Sequence, residues 1–182
     1  MKDRRYWYWF VLVSMLVLDQ LVKAWVRHSL VPGQKPGPPW PGVFEITLTF
    51  NRGIAFGMAQ GSGIFVAPVA IGIAVAASVY SLRHPKESVL THVAMALLGA
   101  GAIGNLVDRV YFGQVTDMFW ARIINFPVFN VADACITVAA CLIIWGWLVE
   151  HKRHAPTVTE PETGGDGLKL PDVSEEVTVT NE

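Results

Sequence analysis

The chain has 182 residues, of which 52% are hydrophobic and 16% charged, with a mean hydropathy of +0.40 and a formal net charge of −1. Soluble domains carry about 25% charged residues. This composition therefore excludes a disordered chain, a collagen-like chain and a nucleic-acid binder with a basic face. It describes a membrane protein with one domain of a few spans. The near-neutral total conceals an asymmetry: residues 156–182 contain only Lys169 as a cation against seven acids, leaving a basic body and an acidic tail.

A spanning helix needs about 20 mostly apolar residues, and four stretches meet that length, at about 7–26, 63–82, 89–107 and 131–149. Pro68 falls in the first turn or so of the second, where a missing N–H costs least. The first stretch follows a basic MKDRR, as a signal peptide would, but the apolar run is long and ends in DQLVKAW rather than at a small-residue cleavage site, so it is expected to remain uncleaved. An even number of spans puts both termini on one side. Lys2, Arg4, Arg5, Arg83, Lys86, Lys152 and Arg153 flank that side, whereas the two longer loops, 27–62 and 108–130, carry only Arg27, Lys35, Arg52, Arg109 and Arg122. The positive-inside rule then makes the termini cytoplasmic and the long loops extracytoplasmic. Trp7, Trp9, Trp145 and Trp147 would form an inner aromatic belt, and Trp25, Trp40 and Trp120 an outer one.

The outer loops carry pattern of their own. Residues 32–41, PGQKPGPPWP, hold five prolines and read as an extended linker. In Val43–Phe50, Phe44, Ile46, Leu48 and Phe50 alternate with Glu45, Thr47 and Thr49, the pattern of a half-buried strand, ending in a turn at Asn51-Arg52-Gly53. A second strand-like piece spans Val110–Phe119 around Gly113. The fold expected is an all-α membrane protein, a four-helix bundle with a small extracytoplasmic β-sheet formed by these loops. It occupies residues 1–154, followed by a disordered cytoplasmic tail, 155–182.

Polar residues in the spans each need a reason, because a charge deep in a helical span costs at least about 2.5–3.5 kcal/mol. Asp19 and Lys23 are four apart near the outer end of the first span and share a helix face, which suits either a structural ion pair or support for a site. The third span ends in GAGAIGNLVDR, a small-residue face for close helix packing, with Asn105 just past it and Asp108 and Arg109 at the water boundary. Asp117 precedes Met118, Phe119 and Trp120; alone it reads as a loop carboxylate, although apolar neighbours raise a carboxyl pKa. Asp133 lies about one turn into the fourth span with no basic residue near it in sequence, so it is protonated, paired across the bundle, or catalytic.

Other chemistries find no support. The five histidines do not cluster with carboxylates at metal-ligand spacing, and HExxH, GxSxG and phosphate-cradling glycine loops are missing from the sequence. Cys135 and Cys141 are six apart, which points them to different helix faces, so neither a disulfide nor a metal site is expected. By elimination, two aspartates at the outer face are the best reactive candidates. Paired carboxyl groups can share a proton, one activating water and the other donating to a carbonyl. No metal or cofactor is called for.

Five segments in order, DQLVK at 19–23, NRGIAFG at 51–57, GAIGNLVDR at 101–109, VTDMF at 115–119 and FNVADA at 129–134, give the chain a resemblance to the lipoprotein signal peptidases (signal peptidase II), membrane aspartyl proteases of bacteria, over about residues 6–150. The Pro-rich segment and the acidic tail lie outside that pattern. The resemblance implies that Asp117 and Asp133 are the catalytic pair, and that Asp19, Lys23, Asn51, Asn105, Arg109 and Asn130 bind substrate or support the site. It also implies a diacylglyceryl-modified prolipoprotein as substrate, cut just before the lipidated cysteine, inhibition by globomycin, and residence in the bacterial cytoplasmic membrane with the site near its outer face. On this reading Asn105 and Asn130 are expected to hydrogen-bond the dyad carboxylates or the substrate backbone. Arg109 and Asp108 would tie the third span to the loops, and Phe56 and Met58 would dip into the interface or simply pack. The rival readings are a small proton-coupled transporter, which would place its polar residues near the midplane, and a non-catalytic assembly factor, which would leave Asp133 unexplained.

Overall fold

A computed structural model describes residues 3–33, 37–53 and 66–153. Phe56, Met58 and the acidic tail lie outside the described residues. Within them the chain forms α1 (Arg5–Ser29), β1 (Gly37–Trp40), β2 (Phe44–Asn51), α2 (Ala67–Arg83), α3 (Val89–Phe112), β3 (Val115–Ala121) with a short 3₁₀ turn after it (Arg122–Ile124), and α4 (Val131–Arg153). Helices α1, α3 and α4 are long and apolar enough to cross a membrane. Helix α2 is equally apolar but has 17 described residues.

Helix α3 is the centre of the bundle and packs against each of the other three helices. Its small residues make this possible. Ala96, Gly99, Ala100, Gly101, Ala102 and Gly104 are all buried. A Cβ on Gly101 would lie 2.5 Å from the Ala132 carbonyl of α4, and one on Gly104 would lie 2.6 Å from Asp19 Oδ2 of α1. Backbones therefore approach more closely here than any larger residue permits. Ser88 starts α3 by accepting the Thr91 N–H (3.0 Å). Gly113, at φ 69°, ends it in the left-handed conformation that glycine adopts without penalty. The helix thus runs through Val110–Phe112, where the sequence suggested a strand. The strand begins only after Gly113 reverses the chain.

The three strands form an antiparallel sheet in the order β1-β2-β3, drawn from the α1–α2 and α3–α4 connections. Part of the Pro-rich segment is thus an edge strand paired to β2 rather than a free linker. An edge is the place in a sheet where prolines are tolerated. Ile46, Leu48 and Phe50 pack with Met118 and Phe119 on Val22 and Val26 of α1 and on Leu30 just after it, as the alternation in β2 implies. The opposite face is less exposed than that alternation implies. Glu45 is buried because Gly42 N–H (2.6 Å) and Arg122 (2.9 Å) donate to its carboxylate.

Candidate active site

The residues that gather around Asp117 and Asp133 come from all four helices and two strands. Asp117 is on β3, which α3 feeds directly after the Gly113 turn. Asp133 lies in the first turn of α4. Asn130 precedes that helix and caps it. Its Oδ1 accepts the Asp133 N–H (2.9 Å), while its own N–H donates to Asp133 Oδ2 (3.2 Å). This reciprocal pair is a capping box built from Asn and Asp.

The same Asn130 reaches the other carboxylate. Its Nδ2 donates to Asp117 Oδ1 (2.6 Å) and to Asn105 Oδ1 (3.1 Å). Asn105, on α3, donates through Nδ2 to Asp133 Oδ1 (2.7 Å). Two asparagines therefore bracket two aspartates. Their amide orientations are set from behind, because Asn105 Oδ1 also accepts from Lys23 Nζ (3.0 Å) and Asn130 Oδ1 is committed to the helix cap.

Lys23 is completely buried. It pairs with Asp19 at 2.9 Å and with Asp108 at 3.6 Å, and it donates to the Gly104 carbonyl at 3.3 Å. Asp19 in turn accepts the Ala132 N–H at the start of α4 (2.9 Å). A buried charge is tolerated only when paired and fully hydrogen-bonded. These contacts meet that requirement and lock α1, α3 and α4 together beneath the aspartates. Asp133 forms no salt bridge among the described residues, although the Arg109 charge is near enough to interact with it; its hydrogen-bond donors are amides.

A cavity of about 860 Å³ opens in front of the pair. Asn51, Asn105, Arg109, Asp117 and Asp133 line it. Asp19, Lys23 and Asn130 stand behind its wall. Apart from Thr49 and Thr137 the rest of the lining is apolar, including Val69, Ala70 and Ile73 of α2, Leu98 and Ala102 of α3, and Ile136 and Val138 of α4. A further wall comes from the segment Phe126–Phe129, whose rings continue an aromatic row from Phe44 through Phe119 to Phe129 and Phe126. Arg109 bridges Asn105 and the loop by donating to the carbonyls of Asn105 and Gly53, each at 3.3 Å. Asp108 accepts the Thr116 N–H (2.8 Å), so both residues join α3 to the connections.

Burial, and then the nearby charge of Asp133, push the Asp117 carboxyl from 3.8 up to about 7, against the opposing donors Asn130 and Asn51 and the charge of Lys23. A carboxyl in that range keeps its proton in a large share of molecules near neutral pH, where an ordinary aspartate has lost it, and can donate it. Asp133, at the N-terminal turn of α4, accepts from Asn105 Nδ2 and from the Asn130 N–H. The site therefore presents two carboxyl groups to one largely apolar cavity.

Several contributors had escaped the sequence reading. Arg27 continues the Asp19–Lys23 face of α1 at the same four-residue spacing, a signal present in the sequence. The capping box was also readable, as Asn130 and Asp133 three apart before an apolar run. The Phe126–Phe129 wall carries no comparable signal. Among the described residues no group of His, Cys, Asp and Glu is arranged to hold a metal ion, and both cysteines are free.

A model of the signal peptidase II family matches residues 11–149. The chain is 38% identical over 157 residues to a lipoprotein signal peptidase of Gloeobacter violaceus, covering 86% of this chain and 90% of that one. It is 35% identical over 170 residues to one of Deinococcus radiodurans, covering 86% and 88%. Its fold is similar to that of a bacterial membrane enzyme solved by the in meso method at 2.3 Å resolution, with a TM-score of 0.76 at 28% identity over 84% of this chain and 94% of that one.

Proposed function

Since the chain belongs to the signal peptidase II family, and so is an aspartic-type hydrolase that removes signal peptides from prolipoproteins, we propose that Asp117 and Asp133 carry out the cleavage by activating water directly. The observation that carries this reading is the bracketing of both aspartates by Asn105 and Asn130 at the wall of an apolar cavity.

In the proposed reaction the Asp133 carboxylate removes a proton from water as the water oxygen bonds to the scissile carbonyl carbon. The Asp117 carboxylic acid gives its proton to the carbonyl oxygen. The tetrahedral diol then collapses: the C–N bond breaks, the proton held by Asp133 passes to the departing amine, and a diol hydroxyl returns its proton to Asp117. Neither aspartate is covalently modified. The low-dielectric cavity strengthens each of these interactions. Asn51 and Arg109, beside the pair on the same wall, are suited to hydrogen-bonding the peptide backbone.

The substrate is a prolipoprotein whose cysteine carries diacylglycerol, cut just before that cysteine. The apolar lining from α2, α3 and α4 matches a lipidated segment arriving through the bilayer, and a cyclic peptide of the globomycin type would compete for the same space. Helix α2, about 26 Å long at the usual rise, serves as the fourth span of a multi-pass protein of the bacterial cytoplasmic membrane. Arg4 reaches the α2–α3 turn, where its N–H donates to the Pro85 carbonyl (3.2 Å), so the basic N-terminus and that basic turn lie at one end of the bundle. The aspartates lie at the other. The positive-inside rule then makes the basic end cytoplasmic and the site extracytoplasmic. A carrier would need its polar groups near the midplane.

The test is processing of a lipidated precursor by the purified protein, followed as a gel shift. The lipidated precursor is expected to be cut and globomycin to stop it. Equal cleavage of the unlipidated precursor would contradict the substrate assignment.

A further inference from the structure

The strand that carries Asp117 pairs with β2 at Thr49↔Asp117, Phe50↔Thr116 and Asn51↔Val115. The β2–β3 register shifts between Ile46 and Thr49, so regular pairing is interrupted next to Asp117. A second set of contacts holds the strand one residue earlier. Thr116 is completely buried. Its N–H donates to Asp108 Oδ2 (2.8 Å), and its hydroxyl accepts from Arg27 Nη1 (2.8 Å). Arg27 also pairs with Asp108 at 3.4 Å, and its guanidinium lies 4.4 Å from the centre of the Phe112 ring.

Side chains alternate along a strand, so with Asp117 on the cavity wall its neighbour Thr116 faces the opposite way, toward α1 and α3. None of Thr116, Arg27 and Asp108 lines the cavity. A buried hydroxyl is costly without a partner, and a guanidinium makes a stronger donor than a neutral group.

We propose that Arg27 and Asp108, acting through Thr116, form a clamp that positions Asp117 for the reaction. This rests on the reading of Asp117 as one of the two reacting carboxyl groups. Arg27, Thr116 and Asp108 touch no substrate and are positioning residues. Displacements of about 1 Å at a reacting group cost on the order of 100-fold in rate, so the loss should fall on kcat and leave KM unchanged.

The test is steady-state cleavage of a lipidated prolipoprotein by the full-length protein carrying Thr116→Val, Thr116→Ser, Arg27→Gln, the Thr116→Val/Arg27→Gln pair or Asp117→Asn, with a melting curve for each. Thr116→Val keeps volume and strand preference while removing the hydroxyl. It is expected to lower kcat roughly 10- to 100-fold, with KM within about twofold. Arg27→Gln should do the same, and the pair should be no worse than the more impaired single variant, because both changes break the Arg27–Thr116 contact through which the clamp acts. Thr116→Ser should restore most of the rate. If Thr116→Val does not fold, Arg27→Gln carries the test, since Arg27 is partly exposed. Wild-type kcat in Thr116→Val or Arg27→Gln, beside an inactive Asp117→Asn, would overturn the clamp alone, as would losses that multiply in the pair or fall on KM. Normal cleavage by Asp117→Asn would overturn the reading of the dyad, and the clamp with it.

Discussion

Asn130 and Asp133 exchange two hydrogen bonds, side chain to main chain in each direction, and the same Asn130 amide donates to Asp117. The start of α4 and the geometry of the aspartate pair are therefore one structure. Asn130→Ser separates the two roles, because serine caps a helix but cannot reach Asp117 with an amide. Asn130→Ala should lower stability by about 1 kcal/mol through the lost cap, and Asn130→Ser should recover most of that in a melting experiment. Both variants should lose cleavage activity by roughly 100-fold or more, on the scale of lost preorganised donors.

The Asp117 carboxyl, pushed up to about 7, makes both activity and stability depend on pH. If its proton is needed, cleavage should fall as pH rises through about 7, with the limb belonging to the coupled pair. For stability, the folded state keeps a proton that the unfolded chain releases near 3.8. Folding thus takes up a proton between those values, and stability declines as pH rises from about 4 to about 7, then levels. Asp117→Asn should remove this slope from melting temperatures measured across pH 4–9 (about the range needed). An unchanged slope would assign it to another group.

Lys23 sits between Asp19 and Asp108 with no exposure. Removing one member of a buried ion cluster costs about 3–5 kcal/mol, because the remaining charge is left unpaired. Lys23→Met should therefore be strongly destabilising, and Asp19→Ala, which also strips the acceptor from the Ala132 N–H, comparably so. Denaturation in detergent measures both. Wild-type melting in Asp19→Ala would make that residue incidental.

Gly104 admits Asp19 where a Cβ would come within 2.6 Å of its carboxylate. Gly104→Ala must displace either the carboxylate or α3, and overpacking of this kind costs about 1–3 kcal/mol. A lower melting temperature, with cleavage falling in parallel, is expected.

Much of this was legible in the sequence because the bilayer simplifies it. A long apolar run has few alternatives to a helix, and each polar residue within one requires a partner, which is why Asp19, Lys23 and Asn105 stood out. The loops were less legible. The Pro-rich segment pairs as an edge strand because β2 offers it a backbone ladder, a tertiary fact invisible in PGPPW itself. Glu45 is buried because Arg122, 77 positions later, meets it. The Phe126–Phe129 wall and the Arg27–Thr116 contact likewise depend on where distant segments meet. The aspartate pair became visible through five ordered motifs; neither Asp117 nor Asp133 announces its partner from its own neighbours.

The most direct measurement is cleavage of a diacylglyceryl-modified precursor by purified Asp117→Asn and Asp133→Asn, each shown by melting to be folded. Each variant is expected to leave the precursor uncut while retaining the fold. Processing at the wild-type rate by either folded variant would contradict the role of that aspartate and the two-carboxylate mechanism with it.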